Sequence, residues 1–118
     1  MSIHETIQNT VMSWLGVTEE PHRFGGIQFW LGKRELGHLH GDHMADVPFT
    51  RAVRDELIAA GLARPHHVLP DSGWVTYRLS SEADVPGAIA LFRLSYERAV
   101  AAQQERAERS GRRDRSPP

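Results

Sequence analysis

The chain has 118 residues, the size of one domain with one hydrophobic core. Its 14 Lys and Arg residues against 15 Asp and Glu give a net charge of -1, which excludes a strongly basic surface for nucleic acid or acidic lipid. The absence of cysteine excludes a disulfide framework, a thiolate metal site and a cysteine nucleophile, whereas seven histidines are a conspicuous excess. Because the chain shows no secretory leader and no long apolar span, we expect a cytoplasmic protein.

The N-terminal half predicts one helix and a three-stranded meander. Apolar residues recur at intervals of three and four from Ile3 to Leu15, which indicates an amphipathic helix with Ser2 as its N-cap. Tight turns then join three short strands, which must therefore pair antiparallel. These predicted strands are Ile27–Leu31, Glu35–His40 and Met44–Val47.

The second half predicts a helix from Arg51 to Ala60 with Thr50 as its N-cap, then the strands Ala63–Leu69 and Gly73–Leu79, then a helix that starts near residue 84. We expect an α+β two-layer sandwich over residues 1–103, with an antiparallel sheet of about five strands and helices on one face. The predicted order is α-β-β-β-α-β-β-α. Residues 104–118 are interpreted as the end of the helix and a disordered tail rich in Arg and Pro.

Strand alternation assigns each side chain to one face of this sheet, since the apolar set must meet the helices. One of the two neighbours His66 and His67 should reach the open face, because adjacent residues of a strand point to opposite sides. His4 and His22 are assigned no role. The remaining residues predicted on the open face are Gln28, Trp30, Leu36, His38, His40, Asp46, Trp74, Thr76 and Arg78.

Indoles, imidazoles, a carboxylate and an Arg on one face are typical of a ligand pocket with apolar walls and a few polar anchors. The competing interpretation is a face covered by loops or by a second copy of the chain, which would make a homodimer. The Pro70–Trp74 segment likewise has both a functional and a purely structural interpretation. Asp71 and Ser72 could anchor a ligand, or Asp71 could orient His67, but these residue types also simply favour a turn.

Two kinds of chemistry suit the open face. His38 and His40 lie on one side of a strand roughly 7 Å apart, and they could chelate a divalent metal with a third ligand such as His67, Asp46 or Asp71. Without a metal, an imidazole acts as a general base near neutral pH, so no cofactor is required. The sequence contains neither the G-x-S-x-G motif of α/β-hydrolases nor a glycine-rich phosphate loop.

Several motifs together resemble the luciferase-like domain family of small bacterial proteins, over about residues 20–100. They are Gly-His-Leu-His at residues 37–40, Asp-Val-Pro-Phe at 46–49, Arg-Asp-Glu-Leu at 54–57, His-His-Val at 66–68, Pro-Asp-Ser-Gly-Trp at 70–74 and Ser-Tyr at 95–96. The resemblance implies an α+β domain related to fungal luciferase, which oxidises a polyphenolic pyrone with O2. It points to His38, His40, His67, Asp71, Ser72 and Trp74 as site residues. The C-terminal part is also similar, more weakly, to YjbR-like proteins.

We therefore predict an enzyme for a hydroxylated aromatic or polyketide-like substrate, which works by histidine acid–base chemistry and, on the resemblance, by oxygenation. The predicted catalytic residues are His38, His40, His67 and Asp71. The predicted substrate-binding residues are Trp30, Asp46, Ser72, Trp74, Thr76 and Arg78, with the two indoles stacking on the substrate ring. The alternative is a non-catalytic module that binds a ligand or a protein through the same face. In either case we expect a small-molecule or protein partner, and neither nucleic acid nor a membrane.

Overall fold

A computed structural model describes residues 1–114, apart from the side chains of residues 24, 113 and 114. Within these residues, a six-stranded antiparallel sheet carries three helices on one face. The strands are β1 Val17–His22, β2 Gly26–Leu31, β3 Arg34–His40, β4 Met44–Pro48, β5 Arg64–Pro65 and β6 Trp74–Arg78, in the spatial order β1-β2-β3-β4-β6-β5. The helices are α1 Ile3–Met12, α2 Arg51–Ala59 and α3 Val85–Asp114, with single 3₁₀ turns at Arg23–Gly25 and Glu82–Asp84.

The core lies between the helices and the face of the sheet that the apolar alternation predicts. Phe29, Val47 and Val75 of the strands are inaccessible to solvent, and they meet residues such as Ile7 of α1 and Phe92 of α3. The predicted α+β class and the two layers are thereby confirmed. The other face of the sheet is left without a helix, and it carries the polar set described below.

β1 is a strand that the sequence-based count omits. It reads Val-Thr-Glu-Glu-Pro-His, and its middle residues are exposed. It is the edge of the sheet next to β2, where a proline costs no ladder hydrogen bond and charged side chains discourage further pairing. These features weaken the strand signal in the sequence, but they suit an edge strand.

A β-bulge in β3 overturns the predicted position of Leu36. In the β2–β3 pairing, Phe29 lies opposite Gly37 and Trp30 lies opposite Glu35, so Leu36 is an extra residue between them. The bulge interrupts the alternation, and the Leu36 side chain is fully buried in the core instead of lying on the open face. It also moves Glu35 to the face that carries His38.

The predicted strand Ala63–Leu69 is largely absent. Pairing with β6 stops at Pro65, which has no N–H to continue the ladder, and the chain then turns away from the sheet. The expectation that only one of His66 and His67 reaches the open face is therefore wrong. Strict alternation does not apply to a loop, and both imidazoles reach this face.

The helix ends are close to the predicted ones. Ser2 and Thr50 cap α1 and α2 as expected, since each hydroxyl accepts a hydrogen bond from the backbone N–H three residues later. α1 ends at Met12 rather than at Leu15, and α3 runs on to Asp114 although its apolar stripe stops near Gln103. Residues 115–118 of the predicted tail lie outside the described residues. In the described part of the chain, none of the helices has the length and hydropathy of a membrane span.

Gly37 is required for the close approach of β3 to its neighbours. Its φ is +140°, and a Cβ there would lie 2.7 Å from the Asp46 carbonyl oxygen and 2.8 Å from the Phe92 ring. We expect Gly37→Ala to lower the free energy of unfolding by about 2–4 kcal/mol, measured by urea denaturation. Gly111→Ala is the matched control, because its Cβ would meet no atom within 4 Å and alanine favours a helix. Equal stability of the two variants would contradict this account of β3.

Candidate functional site

The open face is organised around the carboxylate of Asp46 in β4. The strand register places Asp46 between His38 of β3 and Thr76 of β6. Asp46 has no solvent exposure, and Thr76 has 2%. The Thr76 hydroxyl donates a hydrogen bond to Asp46 Oδ1 over 2.6 Å. A buried carboxylate is thus held by side chains from the two flanking strands.

Four imidazoles surround this carboxylate. His40 Nε2 lies 2.8 Å from Asp46 Oδ2, His38 Nε2 lies 3.3 Å from it, and His66 Nε2 lies 3.5 Å from it. His67 Nδ1 lies 3.6 Å from Asp46 Oδ1 on the other side. A fifth imidazole, that of His22 at the end of β1, stacks on the His38 ring with 4.2 Å between centroids. We call His22, His38, His40, His66 and His67 the histidine cluster.

His38 bridges two carboxylates. Its Nδ1 lies 2.8 Å from Glu35 Oε2, and its Nε2 faces Asp46. Burial alone would lower the pKa of His38, but the hydrogen bonds with Asp46 and Glu35 outweigh burial and raise this pKa to about 9. Burial likewise would raise the pKa of Asp46, but hydrogen bonds from His38, Thr76 and His40 hold it well below its usual value. Without a bound ion, His38 is therefore a cation between two anions.

His66 is held as a neutral imidazole by the loop that follows it. The backbone N–H groups of Val68 and Leu69 both donate to His66 Nδ1, over 3.1 and 3.0 Å. Nδ1 is therefore an acceptor, and the proton of the neutral ring is on Nε2, which points to Asp46. Burial lowers the pKa of His66 by more than the nearby Asp46 raises it, which favours this neutral form.

His67 has the opposite tautomer. The Thr76 hydroxyl gives its proton to Asp46, so its oxygen can only accept the hydrogen bond with His67 Nδ1, which is 3.3 Å long. Nδ1 of His67 is thus protonated, and in the neutral ring Nε2 carries the lone pair. The His67 side chain is 36% exposed, the largest exposed fraction among the four imidazoles around Asp46.

An open depression of about 380 Å³ lies over the cluster. Trp74 forms one wall, with its ring 5.2 Å from that of His38 and 6.0 Å from that of His66. Val68 and Leu69 form an apolar rim and are 68% and 52% exposed. A depression with apolar walls above a few converging polar groups has the form of a small-molecule site.

The family model described as "Luciferase domain" matches residues 33–95, which is more than half of the chain. The chain belongs to the Luciferase domain family. Neither a curated protein nor a solved structure gave a significant match. In this Luciferase domain the matched segment contains Asp46 and every member of the histidine cluster except His22.

The Luciferase domain brings six of the ten predicted site residues to the depression or directly beneath it. They are His38, His40, Asp46, His67, Trp74 and Thr76. Thr76 is buried under the histidines, so it positions other groups and is not available to a ligand.

The other four predicted site residues lie elsewhere. Trp30 is in the same row of the sheet as Trp74 but three strand spacings away, about 14 Å, so the two indoles do not face one ligand ring. Arg78 lines a separate depression beside Arg64. Asp71 is exposed, and within the described residues no hydrogen bond joins it to His67. Ser72 supports the turn, where its hydroxyl donates to the Leu69 carbonyl and accepts from the Trp74 N–H.

Three site residues escaped the sequence analysis: His22, His66 and Glu35. His22 follows a proline on the unrecognised edge strand, His66 was one of two alternatives, and Glu35 reaches the site only through the bulge. The histidine excess was the one signal that pointed to His22.

The Luciferase domain also holds side chains suited to a metal ion. Two sets place their ligand atoms within 4.8 Å of one another: His22, His38 and His40, and separately Asp46, His66 and His67. Three nitrogen or oxygen ligands of this kind are the usual minimum for a transition-metal site.

The raised pKa of His38 predicts a decline of stability at high pH. A histidine with a folded-state pKa near 9 and an ordinary value of 6.5 stabilises the fold fully below pH 6.5, and this contribution is lost as the pH rises through 9. In buffer with a chelator, we expect the free energy of unfolding to fall by on the order of 2–3 kcal/mol over this interval. The lowered pKa of Asp46 acts at acidic pH, where the free energy of unfolding decreases as the pH falls below 3.8.

Chemical denaturation at a series of pH values tests this prediction. His38→Gln should abolish most of the decline between pH 6.5 and 9, whereas His43→Gln, an exposed turn residue, should keep the wild-type profile. The same decline in wild type and His38→Gln would show that another group causes it.

Proposed function

We propose that this Luciferase domain is an enzyme for a small hydroxylated aromatic or polyketide-like substrate, and that it works by histidine acid–base chemistry. One observation carries the proposal. The hydrogen-bond chain from His67 through Thr76 to Asp46 fixes the proton of an exposed, depression-lining imidazole on Nδ1, so Nε2 is the basic nitrogen of the neutral ring. This is the arrangement of a general base oriented by a buried carboxylate.

In this proposal, the substrate hydroxyl gives its proton to Nε2 of His67. The imidazolium that results is stabilised by Asp46, whose Oδ1 lies 3.6 Å from His67 Nδ1. The substrate keeps the electron pair of the broken O–H bond and becomes a phenolate or enolate. His67 is thus the residue that we assign to proton transfer, and Thr76 is a positioning residue.

The walls of the depression support an aromatic or otherwise flat apolar substrate. Trp74 offers a ring for stacking, and the exposed side chains of Val68 and Leu69 line the same depression. Large exposed apolar side chains above a polar cluster are unusual on a merely solvated surface. They favour a ligand that has a hydroxyl group at one end and an apolar body.

The resemblance to fungal luciferase makes dioxygen the co-substrate to test. A phenolate or enolate is more electron-rich than its conjugate acid, so deprotonation by His67 would prepare the substrate for oxidation by O2. Oxygen uptake is therefore the appropriate assay next to direct detection of the product.

The test is a screen of phenols, catechols and enolic pyrones for turnover by the full chain. With a compound that is turned over, we expect His67→Gln to lower kcat/KM by 10²-fold or more, and Thr76→Val to lower it by about 10-fold. Both variants should bind the compound with nearly the wild-type Kd. His43→Gln, an exposed histidine outside the depression, should keep wild-type activity.

Three results would contradict the proposal in different ways. Wild-type turnover by His67→Gln would show that His67 is not the base. Binding of compounds without turnover of any of them would favour a non-catalytic binding module, and a concentration-dependent dimer that hides the depression would favour an interaction surface.

A further inference from the structure

His22 is the least explained member of the histidine cluster. It is half-buried, it stacks on His38, and among the described residues its side chain forms no hydrogen bond. Its ring is also 5.7 Å from that of His40, so three imidazoles crowd together where β1, β2 and β3 meet. Crowded imidazoles without mutual hydrogen bonds are the arrangement that a metal ion stabilises.

We infer that His22, His38 and His40, together with the Asp46 carboxylate, bind one divalent transition-metal ion. This inference deepens the proposed function, because the ion would lie beside His67 in the same depression. Its test, however, requires no substrate.

The distances suit a shared ion. Ligand atoms bonded to one zinc-like ion at about 2.0–2.2 Å lie roughly 3.0–3.5 Å from one another. Asp46 Oδ2 is 2.8 Å from His40 Nε2 and 3.3 Å from His38 Nε2. The ligand atoms of His22, His38 and His40 all lie within 4.8 Å of one another, so among these three a contraction of about an ångström gives the spacing of bonded ligands.

His38 has the support of a metal ligand. Its Nδ1 is 2.8 Å from the Glu35 carboxylate, so the Nδ1 proton is held there and Nε2 is directed at the cluster. A carboxylate behind the remote nitrogen fixes the tautomer and strengthens imidazole as a ligand. In the chain without an ion, a proton on Nε2 bonds to Asp46, and the ion would replace this proton.

The tautomers exclude His66 and His67 from this ligand set. Two backbone N–H groups occupy Nδ1 of His66, so Nε2 carries the proton and has no lone pair for an ion. Nδ1 of His67, the nitrogen nearest to Asp46, is protonated toward Thr76. The ion is therefore assigned to the side of Asp46 that faces β3 and β1. His67 remains free for proton transfer.

Three imidazoles and one carboxylate are ligands that zinc, cobalt, nickel, copper and iron accept. When bound, such an ion supplies a Lewis acid for a substrate oxygen. The substrate class of the proposal, a phenol or enol, has an oxygen of this kind.

The experiment uses the untagged full chain, purified without nickel affinity and stripped with a chelator. Titration with Co²⁺ should produce visible d–d absorption that saturates at one ion per chain, and Zn²⁺ should displace it. We expect His38→Gln to weaken binding at least 100-fold, and His22→Gln and Glu35→Gln to weaken it about 10-fold each. His4→Gln and His43→Gln, which change histidines outside the depression, are controls that should keep the wild-type stoichiometry and spectrum.

His22→Gln is the decisive variant, because the His22 side chain makes no hydrogen bond among the described residues and its loss leaves the rest of the cluster intact. Wild-type Co²⁺ affinity in His22→Gln would overturn the assigned ligand set. Absence of saturable binding to the folded wild-type chain would overturn the metal inference altogether. Turnover of a substrate by the chelated chain would still leave the proposed function standing, so the two failures are distinct.

Discussion

The burial of one carboxylate dominates the open side of this protein. Removing an ionised carboxylate from water costs several kcal/mol unless hydrogen bonds and opposite charges replace the lost solvation. At Asp46, the lost solvation is replaced by the Thr76 hydroxyl and by the imidazoles of His38 and His40. None of these partners is next to it in sequence. The strand register brings them together, so the sheet must form correctly before the carboxylate can be accommodated.

Packing on the opposite, core face of the sheet stabilises the same strand register. Gly37 allows the Phe92 ring of α3 to approach the backbone of β3, and the bulge at Leu36 directs one more apolar side chain into the core. The same bulge changes the parity of the residues before it. Glu35 therefore meets His38 on the open face, although strict alternation would place it among the core residues. A local irregularity that fills the core thus also supplies the second carboxylate of the site.

Sequence patterns predict the open face correctly where the strands pair without irregularities. Strand parity placed His38, His40, Asp46 and Trp74 on one face, because β4, β6 and the end of β3 pair without interruption. It was wrong for Leu36, where the bulge adds a residue, and for the pair His66 and His67, where the strand ends at Pro65. The alternation of apolar residues does not reveal the bulge, which is a property of the β2–β3 pairing. The end of the strand has a local signal, because Pro65 has no N–H to continue the ladder. The edge strand β1 was missed for a related reason, because its exposed residues carry no core pattern.

The Pro70–Gly73 turn supports the site without lining the depression. The Arg54 guanidinium of α2 donates to the carbonyls of Pro70 and Ser72, and the Ser72 hydroxyl closes the turn. A Cβ at Gly73 would collide with the backbone of Phe49, so the turn lies directly on the end of β4.

The start of the same loop is held from the other side by His66, whose Nδ1 accepts from the N–H groups of Val68 and Leu69. The apolar rim is thereby fixed at both ends, once to α2 and once to an imidazole that also faces Asp46. Any change in the protonation of His66 Nδ1 would release the two backbone N–H groups. The position of the rim and the charge state of the cluster are therefore physically linked, and Ser72, which was predicted as a ligand anchor, instead supports the turn that holds the rim.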